Sequence, residues 1–393
     1  MNTRPIIDES SGPFALSASF NADNSCFSAA LETGFRVFTS KSGDMKVARE
    51  VGGGIGCAEM LGTTRYIALV GGGKQPKFPQ NKVSPQDADW VYIETDTSYE
   101  VQIWNDATQV VSASLEFKTP IQRVRISKSH LVVALLNNVG IYKMKSPPEK
   151  IADYETVNNP YGLCALGTKV VAFPGRAPGQ VKLFHLNSAQ VSIIPAHDTP
   201  LRALALSPDG DQVATASEQG TLIRIWSFPS CTKMGELRRG VDPAAIFSLA
   251  FSPNGSLLAA TSDKSTIHIF EAPKSNNAAT PEPDPKLHKW GVLSKIPLLP
   301  RQFSDTYSIC SAKFEMGDED LNWGPASRSA TFNAGIPGVP GGRPTKGLLG
   351  WLDDTTVLII GAGRDARWER FIVGVDQLGK KVVYREGWKK YLD

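Results

Sequence analysis

Short apolar segments return along this chain at a near-fixed interval, and that recurrence restricts the fold more than any single motif does. Units open near Ala15, Ile55, Ile121, Tyr161, Leu201, Ile246 and Lys346, so the steps are 40, 66, 40, 40, 45 and 100 residues. Four of these steps match the roughly 40–45 residues of a β-propeller blade, and the other two match a blade plus an insertion. The unit at Leu201 displays the pattern most fully. LRALALSPDG alternates and stops at a Pro-Asp-Gly turn, and QVATASEQG, TLIRIWSF and TKMGELRRG follow as further strands. The next unit repeats it as IFSLAFSPNG, LLAATSD and TIHIFEA. Small and β-branched apolar residues suit sheets that are covered on both faces. Helical spacing is not sustained over three turns anywhere. The expectation is an all-β chain, residues 1–393 forming one seven-bladed β-propeller with four-stranded antiparallel blades.

Two insertions interrupt the repeat. One occupies about 71–100 in blade 2, after the strand YIALV. The other, 273–304, lies between the third strand of blade 6 and SICSAKF, which supplies the fourth. A Gly/Pro-rich connector, 317–345, precedes blade 7. Its GIPGVPGGRPTKG run lacks a Walker lysine followed by Ser or Thr and has the composition of a linker.

Composition removes several function classes. With 42 Lys+Arg against 39 Asp+Glu the net charge is +3, which argues against a nucleic-acid-binding surface. No apolar stretch is long enough to span a bilayer, and Met1–Ser11 has no signal-peptide core. Five scattered cysteines without a CxxC suit reduced thiols of a cytosolic protein. The five histidines form no metal-spaced pair, and GGGIG (52–56) and GGGK (71–74) fail the dinucleotide and P-loop patterns. No GxSxG occurs. No enzyme, metal or cofactor is expected.

The segment that stands out is Leu237-Arg238-Arg239-Gly240, which closes blade 5 on its outermost strand. Successive side chains of an extended strand point to opposite sides, so the two arginines face two neighbouring places rather than one. Guanidinium forks match phosphate oxygens. Hydroxyls, imidazoles and cations gather at equivalent turns of the two blades: His197, Thr215, Ser217, Thr221 and Arg224 in blade 5, and Thr261, Ser262, Lys264, Thr266 and His268 in blade 6. Each of these also has a bland explanation. An Arg pair at a turn can be merely solvated, and Ser, Thr and His in WD-type blades often satisfy backbone groups. Anion binding and a protein-binding scaffold without lipid affinity both remain open at this point.

The second insertion has membrane character of its own. KLHKWGVLSKIPLLPR carries Lys286, Lys289, Lys295 and Arg301 and no acid, beside Trp290, Val292, Leu293, Ile296, Leu298 and Leu299. Trp favours the headgroup boundary, and a lysine near anionic lipid contributes about 1 kcal/mol. A satellite core folded onto the propeller is the alternative.

Leu237–Gly240 resembles the Phe/Leu-Arg-Arg-Gly motif of the PROPPINs, the phosphoinositide-binding β-propellers of autophagy. FNADNSCFSAALETGFRVF, ALVGGGKQPKFPQNKV, VQIWND, ATASEQGTLIRIW and SDKSTIHIF are similar too. The likeness runs from about Leu16 to Phe270 and returns weakly at REGWKKYLD. Leucine in the motif is more like the subgroup of shorter members. The resemblance implies binding of phosphatidylinositol 3-phosphate and phosphatidylinositol 3,5-bisphosphate at two rim sites. Site one would use Arg238 with His197, Ser217, Thr221, Thr215 and Arg224. Site two would use Arg239 with Ser262, Lys264, Thr266, His268 and Thr261. It also implies a membrane-penetrating loop at 273–304 and recruitment of an autophagy lipid-transfer scaffold through the other rim, with blade 2 as a candidate surface. The place of action would be cytoplasmic, on phagophore, endosomal or vacuolar membranes. Family members often carry Lys where this chain has Gln219, and Gly where it has Ser265.

Overall fold

A computed structural model describes residues 12–78, 99–273, 306–317, 336 and 338–393. Seven antiparallel sheets follow one another along the chain, each with its strands in sequence order from axis to rim. The innermost strands are Ala15–Phe20, Ile55–Met60, Ile121–Ile126, Ala165–Leu166, Leu201–Leu206, Ile246–Phe251 and Leu348–Trp351. This is the expected seven-bladed propeller. Second strands such as Cys26–Leu31 and Gln212–Ser217 are buried almost throughout, because neighbouring blades cover both faces. Outermost strands such as Met45–Glu50 and Val110–Phe117 alternate with solvent and are correspondingly polar.

Two unit starts shift. Blade 4 begins at Ala165 rather than Tyr161, since Pro160, Tyr161 and Gly162 form a turn. Gly162 takes φ 57°, and a Cβ there would meet the Gln122 carbonyl oxygen at 2.9 Å. Blade 7 begins at Leu348.

Blade 5 departs from the four-stranded expectation. Thr306–Tyr307, at the return of the blade 6 insertion, adds a fifth strand parallel to Leu237–Arg238. The chain then passes to Cys310–Lys313, the fourth strand of blade 6. The insertion leaves beside the same blade, where the Gln212 side chain donates to the Pro273 carbonyl at 2.6 Å.

The connector packs more closely than a linker would. Ile336 and Val339 are buried against Leu16, and the Gly341 N–H donates to the Pro160 carbonyl at 2.8 Å. Gly338 comes so close to blade 2 that a Cβ on it would lie 2.2 Å from the Gly71 oxygen. The described part of the connector thus touches blades 1, 2 and 4 on the face where the innermost strands begin. Among the described residues no helix is long and apolar enough to cross a membrane.

The ring closes without strand exchange. All four strands of blade 7 come from Leu348–Lys390, and all four of blade 1 from Ala15–Glu50. Side chains do the joining. The Tyr391 ring lies 5.1 Å from Phe27 and 4.9 Å from Phe38, edge-on to both. Trp368 donates through Nε1 to the Ser40 carbonyl at 2.8 Å. Ala15 and Gly363 exchange a pair of backbone hydrogen bonds. Trp368→Ala removes a buried ring and orphans that carbonyl, so unfolding in urea should show a loss of about 3–5 kcal/mol.

Candidate anion-binding rim

The paired arginines sit where two blades meet. Arg238 ends the fourth strand of blade 5, opposite Leu222 on one side and Tyr307 on the other. The next residue turns away. Arg239 donates its backbone N–H to the Thr221 carbonyl at 2.9 Å, its Nε to the Gly220 carbonyl at 2.8 Å, and a terminal nitrogen to the Asp242 carbonyl. Its side chain is almost fully enclosed, which lowers its pKa; Asp263 and Asp242 work the other way. Gly220, at φ 60°, permits this approach: a Cβ there would lie 1.8 Å from the Ala244 oxygen. Ser217 and Thr221 flank the same turn, with Ser217 accepting from the Gly220 N–H at 3.0 Å.

The blade 5 candidates divide. Thr215 is fully buried, and its hydroxyl is taken up internally. It meets His197 Nε2 at 3.0 Å, accepts from Trp226 Nε1 at 3.2 Å and donates to the Arg224 carbonyl at 3.3 Å. Thr215 therefore ties strands together inside the blade rather than facing a ligand. Arg224 donates Nε to Glu236 at 2.9 Å and a terminal nitrogen to the Ala196 carbonyl at 2.7 Å, so its charge already has a partner. Burial first, and Arg224 second, push the His197 imidazole down to about 4.

Blade 6 supplies a second cluster. His268 bridges Thr266 Oγ1, at 3.2 Å from Nε2, and Ser308 Oγ, at 3.1 Å from Nδ1. Burial, then the nearby Arg239 charge, lower His268 to about 4. The charge of Arg239, a blade 5 residue, is thus felt by the blade 6 imidazole. Ser262 is buried and its Oγ accepts from the Lys264 N–H at 3.4 Å, while the Lys264 side chain is exposed. Ser265 holds φ 54°, the conformation that glycine adopts at less cost. Thr261 is buried and donates to the Gly347 carbonyl at 2.5 Å, so it anchors the connector instead of lining the rim. Ser308 was not anticipated; it follows the long insertion, and only the strand pairing brings it back to His268. Lys286, Lys289, Trp290, Val292, Leu293, Lys295, Ile296, Leu298, Leu299 and Arg301 lie outside the described residues.

The arrangement offers guanidinium, imidazole and hydroxyl groups on blades 5 and 6, with His197 on the blade 4 side of blade 5 and His268 in blade 6. Two of its histidines are neutral at pH 7 and act as hydrogen-bonding groups until an anion raises their basicity.

Residues 95–312 match the family model described as PROPPIN. SVP1-like protein 2 of Emericella nidulans is 54% identical over 339 residues, spanning 85% of this chain and 99% of that protein. SVP1-like protein 2 of Neurospora crassa is 38% identical over 446 residues, spanning 100% and 99%. Among solved structures, Kluyveromyces lactis Hsv2 with its complete loop 6CD superposes with a TM-score of 0.69 at 21% identity, covering 96% of this chain and 99% of that one. A complex of KlAtg21 with the coiled coil of AgAtg16 gives 0.63 at 17%, covering 96% and 99%. At these identities the structural likeness concerns the fold.

Both imidazoles are depressed on folding, so the unfolded chain binds more protons between about 4 and 6.5. Their contribution to stability is complete above about pH 6.5 and is lost as pH falls towards 4. Melting temperature measured across that window should fall less steeply for His268→Gln than for the parent protein.

Proposed function

The chain belongs to the PROPPIN family of phosphoinositide-binding β-propellers, and from that premise we propose that it is a peripheral membrane effector reading phosphatidylinositol 3-phosphate and phosphatidylinositol 3,5-bisphosphate through two rim sites. The observation that carries this reading is the divergence of the pair: Arg238 stays paired on the blade 5 strand, while Arg239 turns onto the Gly220 and Asp242 carbonyls, where its charge is felt by His268 of blade 6. One arginine then serves each headgroup. Site one gathers Arg238 with Ser217, Thr221 and His197, and Arg224 joins only by sharing itself with Glu236. Site two gathers Arg239 with His268, Thr266, Ser262 and Lys264. Ser308 orients the imidazole from the other side.

Each site alone binds weakly. Two on one rigid rim raise the effective concentration of the second lipid, and the 273–304 insertion adds a third contact through its tryptophan, leucines and lysines. The strand Thr306–Tyr307, which follows the insertion, lies against Leu237–Arg238, and this supports a third contact near the first two. Edge-on attachment leaves the opposite rim for proteins. Support for such a role comes from the KlAtg21 structure, which holds a coiled coil of AgAtg16. The partner expected here is an autophagy lipid-transfer scaffold, met through the blade 2 side, on phagophore, endosomal or vacuolar membranes.

Flotation with liposomes tests the reading. Arg238→Thr with Arg239→Thr removes two charge-assisted contacts worth roughly 1.5–3 kcal/mol each, so binding to vesicles with the 3-phosphate lipid should drop by well over tenfold. Undiminished flotation of a folded double variant would sink the proposal and leave a lipid-independent scaffold.

A further inference from the structure

A second group of arginines lies far from the rim, around the propeller axis. Arg123 and Arg125 come from the innermost strand of blade 3, and Arg202 from that of blade 5. Among the described residues, only Arg125 of the three forms an ion pair. It holds both oxygens of the buried Glu59 at 2.8 Å and also donates to Ser19 Oγ at 3.2 Å, tying blades 1, 2 and 3 together. Arg123 donates to the Tyr161 carbonyl at 3.2 Å, and the Arg202 guanidinium stacks 3.7 Å above the Tyr161 ring. Two cations from different blades therefore converge on one residue, and neither forms an ion pair among the described residues.

Three acids act on these arginines, but only Glu59 is bound to one of them, Arg125, and none forms a described ion pair with Arg123 or Arg202. The connector crosses this end of the axis, with Gly341 bonded to Pro160 and lying on the Tyr161 ring. From Ile336 to Gly347 the connector carries Arg343 and Lys346 and no acid. Burial lowers the Arg202 pKa, while Tyr161, Glu218 and Asp263 favour its charge without a described hydrogen bond to it. Burial, together with the like charge of Arg125, holds Arg123 below its ordinary pKa. Enclosed like charges are costly unless a counter-charge joins them. The enclosure is not sealed, since the Arg125 side chain keeps 24% of its exposure.

We propose that the axial end of blades 3–5 is an anion site in which Arg123 and Arg202 grip a compact polyvalent oxyanion of the diphosphate class, with Tyr161 and Arg125 as its floor. Two guanidinium forks from two blades match a ligand with two charged groups better than a single phosphate. The connector packs on Tyr161 at this end of the axis, and the rim proposed for membrane contact lies on blades 5 and 6, so the ligand assigned here is a soluble anion rather than a lipid headgroup.

The test uses the full chain and pyrophosphate, followed by calorimetry and by thermal shift. Saturable binding should appear in the parent protein and persist in Arg238→Thr/Arg239→Thr, whose rim is silenced. It should weaken by about tenfold or more in Arg123→Gln/Arg202→Gln, which should still float with phosphoinositide vesicles as the parent does. Arg202→Gln alone, which removes a stacking contact and no described hydrogen bond, should lose several-fold and serves if the double variant does not fold. No saturable binding, or binding lost with the rim arginines but kept without Arg123 and Arg202, overturns the proposal. Loss of flotation in folded Arg123→Gln/Arg202→Gln overturns the soluble-ligand assignment in favour of a lipid headgroup. The pyrophosphate outcomes do not depend on the rim reading, whereas the flotation comparison rests on it.

Discussion

The structure depends on blades covering one another. Each sheet has two apolar faces and no other way to bury them, so seven sheets must close into a ring before any is shielded. The critical seam is the one that joins the chain ends. There the backbone ladder contributes little, and Phe27, Phe38, Trp368 and Tyr391 carry the joint by ring packing. The boundary between blades 5 and 6 lies away from that seam, and there Thr306–Tyr307 returns from the blade 6 insertion to pair with blade 5, a backbone tie that stiffens the rim.

Rigidity matters because the rim residues are already desolvated. Arg239 is enclosed by carbonyls, and His197 and His268 are held neutral by burial. On the proposed reading, a phosphate there would meet donors whose water has been removed and whose orientation is set by the blade interior. Thr215, which spends its hydroxyl on His197 and Trp226, contributes through that orientation and not through contact.

The fold was legible because propeller blades repeat, and repetition survives insertions: seven units could be counted from turn signals such as SPDG and SPNG. The arginine pair was legible as a motif on a strand end. What sequence could not convey was the side to which a hydroxyl turns. Thr215 and Thr261 look equivalent to Thr221 and Thr266 in the linear pattern, yet a strand that alternates between two buried faces hides half its polar groups. Ser308 was invisible for another reason, being separated from His268 by an insertion whose length says nothing about where it returns. The connector was misjudged because Gly and Pro indicate freedom in a loose chain but allow close backbone approach in a packed one, as Gly338 does against Gly71.

The short parallel strand Thr306–Tyr307 has a further consequence. It fastens the far end of the blade 6 insertion to the same backbone that bears Leu237 and Arg238. Because the ends of a long excursion are pinned, closing it costs entropy that grows only slowly with its length. Residues can be added to or removed from its middle without displacing its root. The position of the excursion relative to the arginines is thereby decoupled from its size, and the two can vary independently over the protein's history.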